Sequence, residues 1–256
     1  MSITAVTTTL DAGVLSIVLN RPEKKNALTH AMYAAMADAL ERAEQEAGIR
    51  VSLITGTGDA FTSGNDLGDF MSAPPQGAEA PVFRFLRAIS SAAKPVVAAV
   101  NGLAVGVGTT MLLHCDLVYA ARSATFTAPF VNLALVPEAA SSLLLPQRIG
   151  HAKAAELFLL GARLDAAQAE AAGLVAAVFD DAALLSEAAT RAKALAAKAP
   201  NAVRLTKALM KRQPEPVAAR MAEEARHFGA QLASPEVREA ITAFMQKRAP
   251  DFSKIA

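Results

Sequence analysis

The sequence predicts an α/β protein of stacked ββα units, followed by a helical C-terminal region. Three observations lead to this prediction. Short β-branched runs alternate with amphipathic segments, the order of strand, helix and strand recurs, and strands disappear from about Asp181 onward. Alternating strands and helices are typical of α/β folds. We predict a core over residues 1–195 and a helical region over residues 196–256.

Composition narrows the class of protein. Of the 256 residues, 53% are hydrophobic and 19% are charged, which excludes intrinsic disorder. The formal net charge is +1 with no long run of like charge, so we expect no nucleic-acid partner. The single cysteine, Cys115, excludes a disulfide framework and a cysteine-based metal cluster. Because the chain shows neither a signal peptide nor an apolar segment of about 20 residues, we expect a soluble, cytoplasmic protein without a membrane partner.

The first elements follow from residue type. Residues 3–10 and 13–20 are rich in β-branched side chains, which predicts a hairpin. Thr29 is suited to cap an amphipathic helix that runs to about Glu46. Residues 51–54 then form a short buried strand.

The same order of elements continues through the core. A helix over residues 81–92, a strand over 96–100, a helix over 106–114 and a strand over 117–120 are predicted. In the C-terminal region, Ala-rich helices are interrupted at Pro200, Pro214, Pro216 and Pro235. No linker rich in Gly or Ser precedes them, so we expect these helices to dock on the core or on a neighbouring subunit.

The first segment with chemical potential is residues 61–67. Gly64 permits an unusual backbone angle, and Asp66 can cap the helix that follows. Such a turn can direct a backbone N–H into a pocket. An ordinary turn between a strand and a helix explains the same residues equally well.

The second segment, residues 101–110, is a glycine-spaced loop that leads into an apolar helix. The N-terminus of that helix offers unpaired N–H donors and a positive dipole end, both suited to an oxyanion. A dinucleotide site fits less well, because Met111 stands where the fingerprint requires Gly or Ala. Close packing of the helix on the strand is the structural alternative.

The third segment, residues 127–142, contains the candidate acid. Pro137 and Glu138 precede a run of Ala, Ser and Leu, which predicts both residues in the first turn of a helix. On these residues alone, Glu138 is more often a partner of the helix dipole than a catalyst. The dipole lowers the pKa of such a carboxyl, whereas burial raises it, and the sequence leaves the sign open.

These three segments, together with residues 19–28 and 243–248, resemble the crotonase superfamily, also called the enoyl-CoA hydratase/isomerase family. The resemblance covers nearly the whole chain, and the order and spacing of the motifs make it specific. It implies a crotonase-like spiral of ββα units with a C-terminal helical trimerisation region. It also implies acyl-CoA thioester substrates, homotrimers often paired into hexamers, and two backbone N–H groups that bind the thioester oxygen.

Position by position, the resemblance assigns the two N–H donors to Asn65 and Val107, where Val107 replaces a residue that is usually Gly in the family. Phe244 and Lys247 match residues that reach the nucleotide portion of a neighbour's CoA, although ordinary packing explains them equally well. The implied substrate- and CoA-binding residues are Lys24, Lys25, Ala27, Asn65, Asp66, Leu67, Phe130, Phe244 and Lys247.

The positions of the acidic residues determine which reaction the resemblance implies. Hydratases of the family use two glutamates, but here those positions hold Thr110 and Phe130, which cannot act as general bases near neutral pH. Glu138 resembles the single catalytic acid of Δ3,Δ2-enoyl-CoA isomerases. We therefore predict isomerisation of a 3-enoyl-CoA to a 2-enoyl-CoA, with Glu138, Asn65 and Val107 as catalytic residues. No metal is expected, and no cofactor apart from the CoA of the substrate.

Alternatives remain open. The chain could catalyse another thioester-enolate reaction, although the aroyl-CoA dehalogenase branch needs a base His for which the sequence offers no clear match. It could also bind acyl-CoA without turnover, as the residues at Thr110, Phe130 and Val107 suggest. His114 lies in an apolar run and is predicted to be a buried structural residue.

Overall fold

The computed structural model describes residues 4–212, 214–253 and 255. The strands are β1 (Val6–Asp11), β2 (Val14–Leu19), β3 (Val51–Gly56), β4 (Ala60–Thr62), β5 (Val96–Val100), β6 (Leu103–Val105), β7 (Leu117–Ala121), β8 (Thr125–Thr127), β9 (Arg163–Asp165) and β10 (Ala177–Phe179). The helices are α1 (His30–Gln45), α2 (Leu67–Ser72), α3 (Pro81–Ser91), α4 (Val107–Thr110), α5 (Ser141–Ile149), α6 (His151–Leu159), α7 (Ala166–Ala171), α8 (Leu184–Ala196), α9 (Pro200–Met210), α10 (Val217–Leu232) and α11 (Pro235–Met245).

The strands form two sheets. The larger sheet has the order β1-β2-β3-β5-β7-β10, and the smaller one has the order β4-β6-β8-β9. The pairs β1–β2 and β8–β9 are antiparallel, whereas the other neighbours are parallel. Strands of the larger sheet such as β3 and β5 are buried along their whole length, as expected for parallel strands covered on both faces.

The stacked ββα units are confirmed by how consecutive strands are distributed. In each of the pairs β3–β4, β5–β6 and β7–β8, the first strand joins the larger sheet and the second joins the smaller one. Helical segments connect each pair to the next. Each unit therefore extends both sheets by one strand, and the three loops that follow β4, β6 and β8 occupy equivalent positions.

The predicted N-terminal elements are confirmed. β1 and β2 pair as a hairpin with Val6 opposite Leu19; the predicted start of the first strand, Ile3, lies outside the described residues. The Thr29 hydroxyl accepts a hydrogen bond from the Met32 N–H at 3.3 Å and caps α1. The inner face of α1 is buried and packs beside α3, where the rings of Tyr33 and Phe85 are 5.6 Å apart.

Two predicted helices differ in detail. The segment predicted over residues 106–114 is helical from Val107, but α4 gives way to a 3₁₀ turn over Met111–His114. The prediction that Pro137 and Glu138 form the first turn of a helix is wrong, because α5 begins at Ser141. The backbone geometry shows why: Ala139 and Ala140 adopt left-handed φ angles of 54° and 53°, which a right-handed helix cannot include.

The C-terminal helices begin after β10, and in the described part of the chain no strand follows it, as predicted. α9 docks on the core through Lys207, whose side chain is only 7% exposed. Its Nζ donates to Asp116 Oδ2 and to the Lys94 carbonyl, both at 2.7 Å, and Asp116 Oδ2 also accepts from the Val96 N–H at 2.8 Å. The division between residues 195 and 196 stays a prediction. None of the helices built from the described residues is both long and apolar enough to cross a membrane.

Candidate active site

The three motif segments follow three neighbouring strands of the smaller sheet. Residues 63–66 follow β4, residues 106–107 follow β6 and residues 128–130 follow β8. β4 pairs with β6 and β6 with β8, all in parallel. Because parallel strands end at the same edge of a sheet, the three loops converge there, which is where ligands bind in many α/β proteins.

The first loop is fixed by a polar hub at the end of β4. The Thr62 hydroxyl donates to the Asn26 carbonyl at 2.7 Å and accepts from the Gly64 N–H at 3.1 Å. Gly64 has a φ of +89°, and a Cβ there would lie 2.9 Å from the Val105 carbonyl oxygen. Only glycine fits both the backbone angle and the contact, so the first loop lies directly against the second.

Two backbone N–H groups at this contact have no protein partner. Across the described ranges, neither the Asn65 N–H nor the Val107 N–H donates a hydrogen bond to another protein atom. The Asn65 side chain is held separately, because its Oδ1 accepts a hydrogen bond from the Tyr33 hydroxyl. Val107 is nearly fully buried at the start of α4. Its β-branched side chain has no polar atom that could accept a hydrogen bond from its own N–H. Within the described residues, neither N–H group is committed to another protein atom.

Glu138 comes close to the second loop through Thr110. The Thr110 hydroxyl donates to Glu138 Oε1, while Glu138 Oε2 is buried without a hydrogen-bond partner in the described structure. Burial raises the pKa of Glu138 above its usual value, and the Thr110 hydrogen bond opposes this only in part. The sequence leaves open whether the helix dipole lowers the pKa of Glu138 or burial raises it. Because Glu138 precedes α5 and lies outside its first turn, burial determines the direction of the pKa shift.

Tyr33 is a residue of this cluster that the sequence does not identify. It lies on the inner face of α1 and is fully buried. Its pKa is raised well above 10.0 by burial and, to a smaller extent, by the negative charge of Glu138. The neutral Tyr33 hydroxyl thus donates a hydrogen bond to the Asn65 side chain and is also close enough to Glu138 for the carboxylate charge to raise its pKa. No local sequence signal distinguishes Tyr33 from an ordinary core residue.

The segment implied to bind CoA runs beside the first loop. The Ser63 N–H donates to the Lys25 carbonyl at 2.9 Å, the Leu28 N–H donates to the Gly64 carbonyl at 2.8 Å, and Lys24, Lys25 and Leu67 are exposed next to it. The structure thus brings residues 24–28 together with residues 63–67, including Ala27.

Asp66 has a structural role in this region. Its carboxylate binds the Arg21 guanidinium at 2.6 Å and caps α2 by accepting from the Gly68 and Asp69 N–H groups. These interactions, the Arg21 hydrogen bond first, lower the pKa of Asp66. A carboxylate held so firmly in its charged form fixes the turn and does not exchange protons near neutral pH.

The remaining predicted residues divide into two groups. Phe130 lies on the third loop and is partly buried, with its ring 6.3 Å from that of Phe158. Phe244 is 82% exposed near the end of α11, and Lys247 follows that helix. Within the described residues, no hydrogen bond or ion pair joins Phe244 or Lys247 to the loops of the smaller sheet. The structure of one chain therefore does not bring these two residues to the cluster.

The fold is one in which stacked ββα units bring one buried acid, and two backbone N–H groups without a protein partner in the described structure, to the same edge of the smaller sheet. Comparison with known proteins identifies the family. The profile described as enoyl-CoA hydratase/isomerase matches residues 9–254. The chain belongs to this family, the crotonase superfamily.

Individual relatives agree with this assignment. Human (Homo sapiens) enoyl-CoA delta isomerase 2 is 39% identical over 248 residues, which cover 94% of this chain and 63% of the relative. The chain thus spans less than two thirds of that protein. The 1,2-epoxyphenylacetyl-CoA isomerase of Escherichia coli (strain K12) is 36% identical over 254 residues, covering 95% of this chain and 96% of the relative.

A solved structure confirms the fold class. It is from Magnetospirillum magneticum AMB-1, is described as an enoyl-CoA hydratase/carnithine racemase, and superposes with a TM-score of 0.95 at 44% identity. The match covers 99% of this chain and 100% of the other. The crotonase-like arrangement of ββα units and C-terminal helices is therefore established.

The raised pKa of Glu138 predicts a pH-dependent effect of Glu138→Gln on stability. In the unfolded chain the carboxyl loses its proton near pH ~4.3, but in the folded chain only at higher pH. The wild type therefore loses stability as pH rises from the unfolded to the folded pKa, whereas Gln does not titrate. We expect the stability advantage of Glu138→Gln to grow across this window and then stay constant, measured by thermal unfolding.

The exposed Glu170 of α7, changed to Gln, controls for the loss of one negative charge. An advantage of Glu138→Gln that shrinks as the pH rises would contradict the direction of the pKa shift.

Proposed function

We propose that the chain is an acyl-CoA double-bond isomerase that converts a 3-enoyl-CoA into a 2-enoyl-CoA. The observation that carries this proposal is the environment of Glu138. One carboxylate oxygen is hydrogen-bonded to Thr110, the other is buried and unpartnered, and the loops beside it carry unpaired N–H groups. This arrangement suits one base acting next to a developing negative charge.

The reaction needs a proton transfer in each direction. Glu138 Oε2 takes a proton from C2 of the 3-enoyl thioester, and the electron pair delocalises onto the thioester oxygen. The N–H groups of Asn65 and Val107 stabilise that oxygen as it becomes negative. The protonated Glu138 then returns a proton to C4, the double bond moves to C2–C3, and the carboxylate is regenerated.

The raised pKa of Glu138 supports this role. A carboxylate with an ordinary pKa of about 4.3 is a weak base for a carbon acid at neutral pH. Burial raises the pKa of Glu138, which brings it nearer to the pH at which a general acid and base work best. The groups found near it, Thr110 and Tyr33, are neutral hydroxyls.

Hydration is disfavoured by Thr110 and Phe130, the residues at the two positions where hydratases of the family carry glutamates. The Thr110 hydroxyl donates a hydrogen bond to Glu138 and is therefore not available to activate water. Phe130 is apolar and packs near Phe158. Two-carboxylate water addition therefore lacks its second carboxylate in the described cluster.

The relatives support the proposal and also define its alternative. The human relative is described as an enoyl-CoA delta isomerase. The Escherichia coli relative, a 1,2-epoxyphenylacetyl-CoA isomerase, favours a second candidate: a different rearrangement of an acyl-CoA that begins with the same base and oxyanion-binding groups. In either case CoA follows Lys24, Lys25, Ala27 and residues 65–67, and the proposed reaction needs no cofactor or metal beyond the substrate.

We also propose that the chain assembles as a homotrimer or a dimer of trimers through its C-terminal helices. α10 has 16 residues, none of which is buried in the single chain. Its large exposed apolar residues, Val217, Met221, Phe228 and Leu232, fall on one stripe because an α-helix repeats every 3.6 residues. A second copy of the chain would cover this stripe, and assembly would also bring Phe244 and Lys247 to a neighbour's CoA.

The isomerase proposal predicts conjugated 2-enoyl thioester absorbance when the purified protein meets 3-hexenoyl-CoA. Glu138→Gln keeps the shape of the side chain but removes the base, so kcat is expected to fall by at least about 10²-fold. Binding of hexanoyl-CoA, measured by calorimetry, serves as the control and should be retained. Full activity of Glu138→Gln, or sustained water addition to crotonyl-CoA by the wild type, would overturn the proposal.

Thr110 predicts a shift in the pH profile. Its hydrogen bond lowers the pKa of Glu138, so Thr110→Val is expected to raise that pKa further and move the acid limb of kcat/KM to higher pH. Thr110→Ser keeps the hydroxyl and should leave the limb near its wild-type position. A limb that moves to lower pH in Thr110→Val would show that the hydrogen bond does not act on Glu138 as described.

The assembly proposal predicts that Met221→Glu combined with Phe228→Glu lowers the mass measured by sedimentation equilibrium toward that of one chain. Two carboxylates on the apolar stripe would be buried without partners on assembly, which opposes it. Ala230→Glu, on the opposite side of the same helix, is the matched control and should leave the mass unchanged. An unaltered mass in the double variant would rule out this stripe as the interface.

A further inference from the structure

His114 makes a hydrogen bond that the proposed mechanism does not use. It ends the 3₁₀ turn after α4 and is buried. Its Nε2 lies 2.9 Å from the carbonyl oxygen of Ala139, the residue that follows Glu138. A carbonyl oxygen only accepts hydrogen bonds, so Nε2 carries the proton and donates it. Burial lowers the pKa of His114, the Ala139 hydrogen bond opposes this in part, and the positive charge of Lys211 lowers the pKa further, so the ring is neutral near pH 7.

The backbone that receives this hydrogen bond is strained. Ala139 and Ala140 both have left-handed φ angles, 54° and 53°. This conformation is unfavourable for residues with a Cβ, which clashes with the following carbonyl oxygen. Such a turn persists only where its surroundings hold it. Without it, the chain would lack the reversal that turns Glu138 back toward Thr110 before α5 begins.

Hydrogen bonds hold this turn from two sides. On the α5 side, the Ser141 N–H and hydroxyl donate to the Glu138 carbonyl at 2.9 and 2.5 Å, and the N–H groups of Leu143 and Leu144 donate to the Ala140 carbonyl. On the core side, His114 donates to the Ala139 carbonyl. His114 thus joins the turn to the segment that carries Thr110.

His114 is itself anchored from the C-terminal region. Lys211 Nζ, just after α9, donates to the His114 carbonyl at 3.2 Å, and Lys207 of α9 binds Asp116 two residues further on. Lys211 is also the charged group that acts on the His114 ring. The ring rests on a backbone that is fixed from both the core and α9.

We propose that His114 is a positioning residue for Glu138. Its hydrogen bond fixes the turn over residues 138–141 and thereby sets the position of the Glu138 carboxylate relative to Thr110 and to the bound acyl chain. This inference rests on the proposed function, since it assigns its effect to Glu138 as the base. The distinguishing feature is that a neutral imidazole acts through a backbone carbonyl and does not touch the substrate.

The test compares donors of different reach at position 114. His114→Gln places an amide N–H near the position of Nε2, His114→Leu removes the donor at similar size, and His114→Asn has a side chain too short to reach Ala139. With 3-hexenoyl-CoA, kcat is expected to fall about 10- to 100-fold in His114→Leu and His114→Asn with KM within about twofold, because misplacement by about 1 Å can cost 10²-fold. His114→Gln should recover most of kcat.

A double-variant cycle shows whether the effect passes through Glu138. Adding His114→Leu to Glu138→Gln should lower the residual rate by less than about twofold, since the group being positioned is already gone. A further fall as large as in the wild-type background, or wild-type kcat in both His114→Leu and His114→Asn, would overturn the proposal.

A spectroscopic readout separates this inference from the isomerase proposal. The infrared C=O band of the protonated Glu138 carboxyl, identified by its loss in Glu138→Gln, can be titrated without any substrate. Release of the turn would hydrate the carboxyl, so the midpoint should move to lower pH in His114→Leu and His114→Asn but not in His114→Gln. If the wild type fails to isomerise 3-hexenoyl-CoA, this titration still decides the role of His114: unchanged midpoints in both donor-free variants would overturn it.

Discussion

The parallel pairing of three short strands, β4, β6 and β8, is the constraint on which the rest of the site depends. Each strand is only three residues long, yet the pairing fixes where three loops leave the sheet. The loops then approach so closely that Gly64 leaves no space for a Cβ beside the Val105 carbonyl. The N–H groups of Asn65 and Val107, which have no protein partner in the described structure, lie beside this contact, where the backbone leaves the ends of β4 and β6.

The environment of Glu138 follows from burial among neutral groups. Charged partners would hold a carboxylate in its ionised form, as Arg21 does for Asp66. In the described part of the chain, no Lys or Arg is paired with Glu138, and its pKa rises. The protein thus contains two carboxylates with opposite shifts, one that fixes a turn and one suited to exchange protons. A raised carboxyl pKa is a cost to stability at neutral pH, which is common at catalytic positions.

Much of this organisation could be predicted from the sequence, and the parts that could not share a physical cause. The alternation of strands and helices, the three loops and Glu138 are local patterns, and each is visible in a short window. Tyr33 and His114 are not, because their roles depend on partners 32 and 25 residues away. The start of α5 differs from the prediction because Ala139 and Ala140 have high helix propensity but adopt left-handed φ angles, and the hydrogen bond to the Ala139 carbonyl comes from His114, 25 residues away.

The docking of α9 has a consequence for biosynthesis. Asp116 and the backbone of His114 are synthesised 91 and 97 residues before their cationic partners Lys207 and Lys211, respectively. During vectorial synthesis, the sheets can pair while the segment that supports the Glu138 turn still lacks these partners. That segment is complete only once α9 has emerged from the ribosome, so strand pairing in both sheets can precede the contacts that α9 makes with the backbone of His114 and with Asp116.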